Sequence, residues 1–242
     1  MLKNTLTYAK MENALKILFV TSSSDMGYWL AELTHPFWHF SERGCEIDFA
    51  SPAGGKVKYD PMSDPFAENT WEPDDLVSKG FLTDKALVAK LFSTIALRDV
   101  DPSSYDAIHI VGGGGAAVDL FPNEDLGKLL EHFSAEGKVV GAICHGSIAL
   151  ANIPGRVSGR RATGFSRAED AQLEPMYGKD FLPHWPQVEM EKAGIVYSAS
   201  TDVGTQVVID GKLITGQDQK AASEYSIAFI HLLFGNDVVV TV

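Results

Sequence analysis

The stretch that most restricts how this chain can fold is Gly137 to Asn152, GKVVGAICHGSIALAN. Val139 to Ile143 form an apolar run of strand length, bounded by glycines. The run stops at Cys144, and after Gly146 the residues SIALAN read as helix. A strand that turns into a helix across one residue forces that side chain outward at the strand end, and small neighbours permit the tight backbone. Other apolar runs end in turns: ILFVTS (Ile17 to Ser22), EIDFAS (Glu46 to Ser51) and DAIHIVGGGG (Asp106 to Gly115). Helical patterns lie between and after them, at about Tyr28 to Arg43, Thr83 to Ala96, Glu124 to Ala135 and Gln219 to Leu233. This alternation predicts an α/β fold, a mostly parallel, flavodoxin-like sheet sandwiched by helices.

The incomplete alternation of EIDFAS places that strand nearer an edge. Shorter strands are expected at Ala162 to Phe165 and Ile195 to Ser198, and QVVIDGKLIT reads as a hairpin turning at Asp210-Gly211. Without repeats or linkers, residues 1–242 read as one domain. Residues 52–80 are proline-rich, acidic and aperiodic, as in a functional loop or lid, or a surface cover. The terminal VVVTV reads as an added strand or a partner contact.

A net charge of −12 argues against a nucleic-acid surface, which needs clustered Lys and Arg. Arg156, Arg160, Arg161 and Arg167 are scattered through a glycine-containing stretch and read as solvated loop charges. Two cysteines, Cys45 and Cys144, fit a reducing compartment. Leu15 to Val20 is too short for a signal or a membrane span. The expectation is a cytoplasmic protein with neither membrane nor nucleic acid as partner.

Two turns carry chemistry. Cys144, near a helix N-terminus, is expected to have a lowered pKa. His145 reads as its base or acid, or as a cap of the turn. The glycine run Gly112 to Gly115 lies at the same sheet edge, where its N–H groups and that of His145 would form an oxyanion hole. Gly112, Gly114 and Ala117 also fit a dinucleotide fingerprint, but Cys144 occupies the place of the acidic residue such a site needs, so no nucleotide is expected. Glu32 begins at that edge too, where a carboxylate could shuttle protons; alone, it would read as solvent-exposed. His35 and His39 have metal-pair spacing, but Pro36 intervenes and no third ligand is evident, so packing or capping is expected. His109 reads as a satisfied core histidine. Neither cofactor nor metal is expected.

From Lys16 to Phe234 the order of elements resembles the ThiJ/PfpI superfamily, with its class I glutamine amidotransferase-like fold, and within it the branch of heat-shock chaperone-like proteins and glyoxalase III enzymes. GYWLAELTHPFWHFSERGCEIDFASPAGG resembles that branch's first helix and second strand, including its glutamate, here Glu32. YDAIHIVGGGGAAVDLFPN is similar to its glycine turn, and GKVVGAICHGSIALAN to its nucleophile elbow. TGFSRAED is similar to the segment that supplies an acidic partner to the histidine, which implies Asp170, with Glu169 adjacent. TGQDQ departs from the TGQNP-type turn, with Asp218-Gln219 in place of Asn-Pro. The resemblance implies a cofactor-free conversion of a small 2-oxoaldehyde such as methylglyoxal to a 2-hydroxy acid. Cys144 would be nucleophile, Gly113, Gly114 and His145 N–H groups would hold the oxygen, Glu32 or His145 would move the proton, and Asp170 would orient His145. It also implies a homodimer, as does VVVTV.

The same cysteine would equally suit another hydrolase, hydratase or amidase, with Phe66 and Trp71 shaping its pocket. A stress holdase would instead expose aromatics such as Trp29, Phe37, Trp38 or Phe181 to Trp185. Oxidative sensing at Cys144 would be compatible with either.

Overall fold

The first apolar run forms β1 (Lys16–Val20), which has parallel neighbours on both sides and whose last four residues are buried in the apolar layers on the two sheet faces. A computed structural model describes residues 14–200 and 205–235. The chain runs from β1 through α1 (Ala31–Ser41) to β2 (Glu46–Ser51) and then β3 (Ile95–Ala96), building the sheet outward on one side. It returns to the other side of β1 with β4 (Ala107–Ile110) and β5 (Val139–Ile143). β6 (Arg161–Ala162) and β7 (Val196–Tyr197) pair with each other, while β8 (Val207–Asp210) and β9 (Leu213–Gly216) form the predicted hairpin. The seven-stranded order is β3-β2-β1-β4-β5-β9-β8, antiparallel only between β8 and β9. The order reverses between β1 and β4, which opens a crevice at their carboxyl ends.

Two apolar layers cover the sheet. On one face Phe19 and Phe49 meet Phe37 and Phe40 of α1 and Phe229 of α9 (Ala222–Phe234). On the other, Leu18, Ile108 and Val140 meet Leu126, Leu130 and Phe133 of α5 (Glu124–Ala135). The helices α2 (Leu76–Thr83), α3 (Lys85–Lys90), α4 (Ala116–Asp119), α6 (Pro154–Val157), α7 (Arg167–Tyr177) and α8 (Pro186–Lys192) complete the chain order.

Four expectations need correction. The helix expected at Thr83 to Ala96 shrinks to α3 (Lys85–Lys90), followed by β3, and a separate helix, α2, ends at Thr83; Asp75 and Asp84 each accept two backbone N–H groups and start the two helices. The first helix starts at Ala31, since Tyr28 exchanges backbone hydrogen bonds with Lys58 and Asp60. The strands expected at Ala162 and Ile195 shrink to two residues each and stand outside the main sheet. The segment after the elbow, Cys144–Asn152, winds as a 3-10 helix. VVVTV lies outside the described residues. Among the described residues, no helix is long and apolar enough to cross a membrane.

Candidate active site

Cys144 follows directly on β5 with φ 56°, a left-handed conformation costing a non-glycine residue about 1–2 kcal/mol. Gly146 makes the turn possible, because a Cβ there would lie 2.8 Å from the carbonyl oxygens of Ile110 and Val111. The turn also solves the problem of adjacent side chains. Cys144 Sγ lies 3.4 Å from His145 Nδ1, although the residues are neighbours.

His145 Nε2 lies 2.9 Å from Asp170 Oδ1 on α7. Asp170 is fully buried, and His145 is nearly so beneath Phe165, whose ring stacks at 4.2 Å between centroids. Glu169 is used elsewhere. Its carboxylate accepts from the Ser166 N–H at 2.8 Å, closing a capping box, and from Gln217 Nε2 at 3.1 Å.

Glu32, in the first turn of α1, is fully buried, against the expectation for a lone helix glutamate. Its carboxyl and the Cys144 Cβ border the space that a Cβ at Gly112 would fill. The Gly112 N–H and the Cys144 thiol act on this carboxyl, but neither oxygen has a fully formed hydrogen bond. Burial pushes the Glu32 pKa well up, and the charges of Asp218 and Glu72 add to it. Burial thus favours the neutral carboxylic acid over the carboxylate.

The expected lowering of the Cys144 pKa is not what the site produces. Burial pushes the thiol well above its ordinary value and Glu32 raises it further, which outweighs the pull of the His145 N–H. The 3-10 winding and near-complete burial leave little helix-end field or solvent to favour a thiolate. The resting group is a thiol, with the His145 imidazole 3.4 Å from its sulfur. Because the Asp170 carboxylate only accepts, the proton of His145 sits on Nε2 and the Nδ1 lone pair faces the sulfur.

Gly113 and Gly114 follow β4. Gly113 has φ 91°, and a Cβ there would collide with the backbone of Tyr28 and Trp29. Among the described residues, neither N–H donates to a backbone or side-chain acceptor. The glycine turn, Glu32, Cys144, His145 and Asp170 therefore meet at the carboxyl edge of the sheet.

Part of the wall comes from the aperiodic segment 52–80. Trp29 Nε1 donates to Glu72 at 3.2 Å, and the Trp29 ring meets Trp71 at 5.7 Å. Asp60, from the same segment, lies within electrostatic reach of the His145 imidazole. Sequence reasoning did not find Asp60, Glu72 or Phe165. The first two lie where no periodicity assigns a facing, while Phe165 stood inside TGFSRAED and needed only the stacking to be seen. Phe66, also expected in the pocket, is 59% exposed. The aromatics considered for a client surface are mostly packed: Trp29 and Phe37 are buried, and Trp38, Phe181 and Trp185 are half-buried. His35 is held by Asp75 at 3.0 Å and Ser223 at 3.2 Å, as the packing reading of that histidine requires. Among the described residues, no group of three His, Cys, Asp or Glu side chains is placed to hold a metal.

The model of the DJ-1/PfpI family matches residues 16–232. The chain belongs to the DJ-1/PfpI family. Glyoxalase 3 of Candida albicans is 28% identical over 216 residues, covering 84% of this chain and 88% of that protein. The glutathione-independent glyoxalase HSP31 of Saccharomyces cerevisiae is 26% identical over 230 residues, 89% and 93% of the respective chains. Among solved structures, the Rapid Encystment Protein 24 kDa of Francisella tularensis superposes with a TM-score of 0.82 at 31% identity, covering 91% of this chain and all of that one. This DJ-1/PfpI chain thus has the resemblance and the fold class expected from its elbow and glycine turn, and relatives named for glyoxalase activity.

Proposed function

We propose that this protein is a cofactor-free, glutathione-independent glyoxalase that converts methylglyoxal to lactate through Cys144. The observation that carries the reading is the hydrogen-bonded line Cys144–His145–Asp170 with the buried Glu32 acid beside the sulfur. The names of the relatives in two yeasts support the reaction class.

His145 Nδ1 takes the thiol proton as Cys144 Sγ bonds to the aldehyde carbon C1, and Asp170 stabilises the imidazolium. Gly113 and Gly114 N–H groups hold the developing oxyanion, and Glu32 then protonates it to a hemithioacetal. The Glu32 carboxylate so formed removes the C1 hydrogen, while the imidazolium protonates the C2 oxygen, giving an enediol. Glu32 returns its proton to C2 as His145 takes the proton of the C1 hydroxyl, and a thioester results. Water, giving a proton to Glu32, adds to C1; the sulfur leaves with the proton of His145, and lactate is released. The net change is methylglyoxal plus water to lactic acid, which leaves as lactate and a proton, with every group returned to its resting form.

The acidic surroundings suit a neutral substrate. Asp60, Glu72 and Asp218 act on the site, so an aldehyde bearing its own carboxylate would be repelled. A methylglyoxal adduct on a protein amine would present the same carbons, so deglycation fits the same chemistry. The test is an assay with methylglyoxal and glyoxal, without glutathione or added metal, against Cys144→Ala. Catalytic lactate formation lost in the variant supports the proposal. Equal turnover in the variant would remove it, and no turnover in either would favour another cysteine-dependent reaction.

A further inference from the structure

Glu32 is the second residue of α1, and the donor due to its carbonyl is the N–H four residues on. That residue is Pro36, which has none. The carbonyl is in a fully buried residue, where an unmet acceptor is costly. The missing donor comes from another element. His109 Nε2, on β4, lies 2.9 Å from the Glu32 carbonyl oxygen. A carbonyl only accepts, so Nε2 carries the proton and Nδ1 is an acceptor. Tyr225 of α9, 2.8 Å from Nδ1, must then donate its hydroxyl proton.

The polarity of this buried chain is fixed at every link: Tyr225 O–H to His109 Nδ1, and His109 Nε2–H to the Glu32 carbonyl. Its surroundings suit a neutral imidazole. Phe19 packs edge-on at 4.6 Å from the His109 ring, and Gly141 leaves the space that the Tyr225 hydroxyl occupies. Three residues beyond His109, β4 has become the glycine turn, with Gly112 against the Glu32 carboxyl.

We propose that His109 and Tyr225 are positioning residues, which replace the helix hydrogen bond lost at Pro36 and hold the first turn of α1 so that the Glu32 carboxyl stays against Gly112 and Cys144. This deepens the glyoxalase reading, and only its kinetic arm rests on that reading. Neither residue touches the substrate.

The first readout is alkylation of Cys144 by iodoacetamide across pH, in the Cys45→Ala background, for His109→Phe, His109→Gln and Glu32→Gln. The phenylalanine fills the same space without a donor, whereas the glutamine amide can still reach the carbonyl. His109→Phe is expected to shift the pH profile in the same direction as Glu32→Gln, and His109→Gln to restore it. With methylglyoxal, His109→Phe should lower kcat by about tenfold or more while KM changes by less than about threefold. A folded His109→Phe protein with the parental alkylation profile would overturn the proposal, whatever the glyoxalase assay gives. Should that variant fail to fold, ¹⁵N spectra of the unsubstituted protein decide: the Nε2–H tautomer at His109, lost or exchanging in Tyr225→Phe, supports the chain, and an Nδ1–H tautomer overturns it.

Discussion

His145 Nε2 stands 2.9 Å from Asp170 Oδ1, and this contact directs the lone pair of Nδ1 at the sulfur of Cys144. Asp170→Asn preserves the shape but can supply a donor, which favours the tautomer with the proton on Nδ1. The base is then blocked. kcat/KM with methylglyoxal is expected to fall by about 10²–10⁴-fold, with a circular dichroism spectrum like that of the parent. A fall of less than threefold would remove Asp170 from the mechanism.

The resting thiol makes its own prediction. Burial and Glu32 hold the Cys144 pKa above its ordinary value, so alkylation of the free protein should keep accelerating through neutral and into alkaline pH. A rate already at its plateau in mildly acidic solution would mean a preformed thiolate.

Glu32 couples the site to stability. Its pKa is raised in the folded state, so the native protein holds that proton more tightly than the unfolded chain does. This contribution is fully present below the ordinary glutamate value and is lost as pH rises through the folded value. Glu32→Gln cannot ionise. Its melting temperature relative to the parent should therefore increase as pH is raised above the ordinary glutamate range, and the difference should level off near acidic pH. The opposite slope in melting curves against pH would show an ionised Glu32.

The glycine turn separates geometry from chemistry. Gly113 has φ 91° and no room for a Cβ, so Gly113→Ala should destabilise the protein by about 2 kcal/mol or more in urea unfolding. At Gly114 a Cβ would stand 3.1 Å from the flexible end of Met26, which can move. Gly114→Ala is expected to fold with stability within about 1 kcal/mol of the parent.

The acidic wall predicts a substrate order. 4,5-Dioxopentanoate and its methyl ester present the same 2-oxoaldehyde, but the free acid carries a carboxylate, which Asp60, Glu72 and Asp218 oppose. The kcat/KM of the free acid should be lower than that of the ester by about tenfold or more, and should rise with added salt as the charges are screened. Equal use of both at low salt would show that these carboxylates do not face the substrate.

Much of this was legible locally. Buried parallel strands need continuous apolar runs, so ILFV, AIHI and VVGAI announced β1, β4 and β5, and Asp210-Gly211 announced the hairpin, because these patterns depend on residues close in sequence. Cys144 at the end of such a run, and the glycines at the end of another, were legible for the same reason. Glu32 was different. Its helix pattern alone read as exposed, and only the resemblance singled it out. Burial was decided by the layer it packs beneath, as was the fate of the thiol, whose pKa follows from desolvation by distant elements and not from its own turn. The choice of Asp170 over Glu169 for His145 likewise followed from how α7 packs, and no periodicity in residues 52–80 could assign Asp60 and Glu72 to the wall of the site. The sequence by itself determined the strand-and-turn order and the reactive residue types; tertiary packing decided which carboxylates are buried, which are paired and which proton each one holds, because those depend on dielectric and distance across elements far apart in the chain.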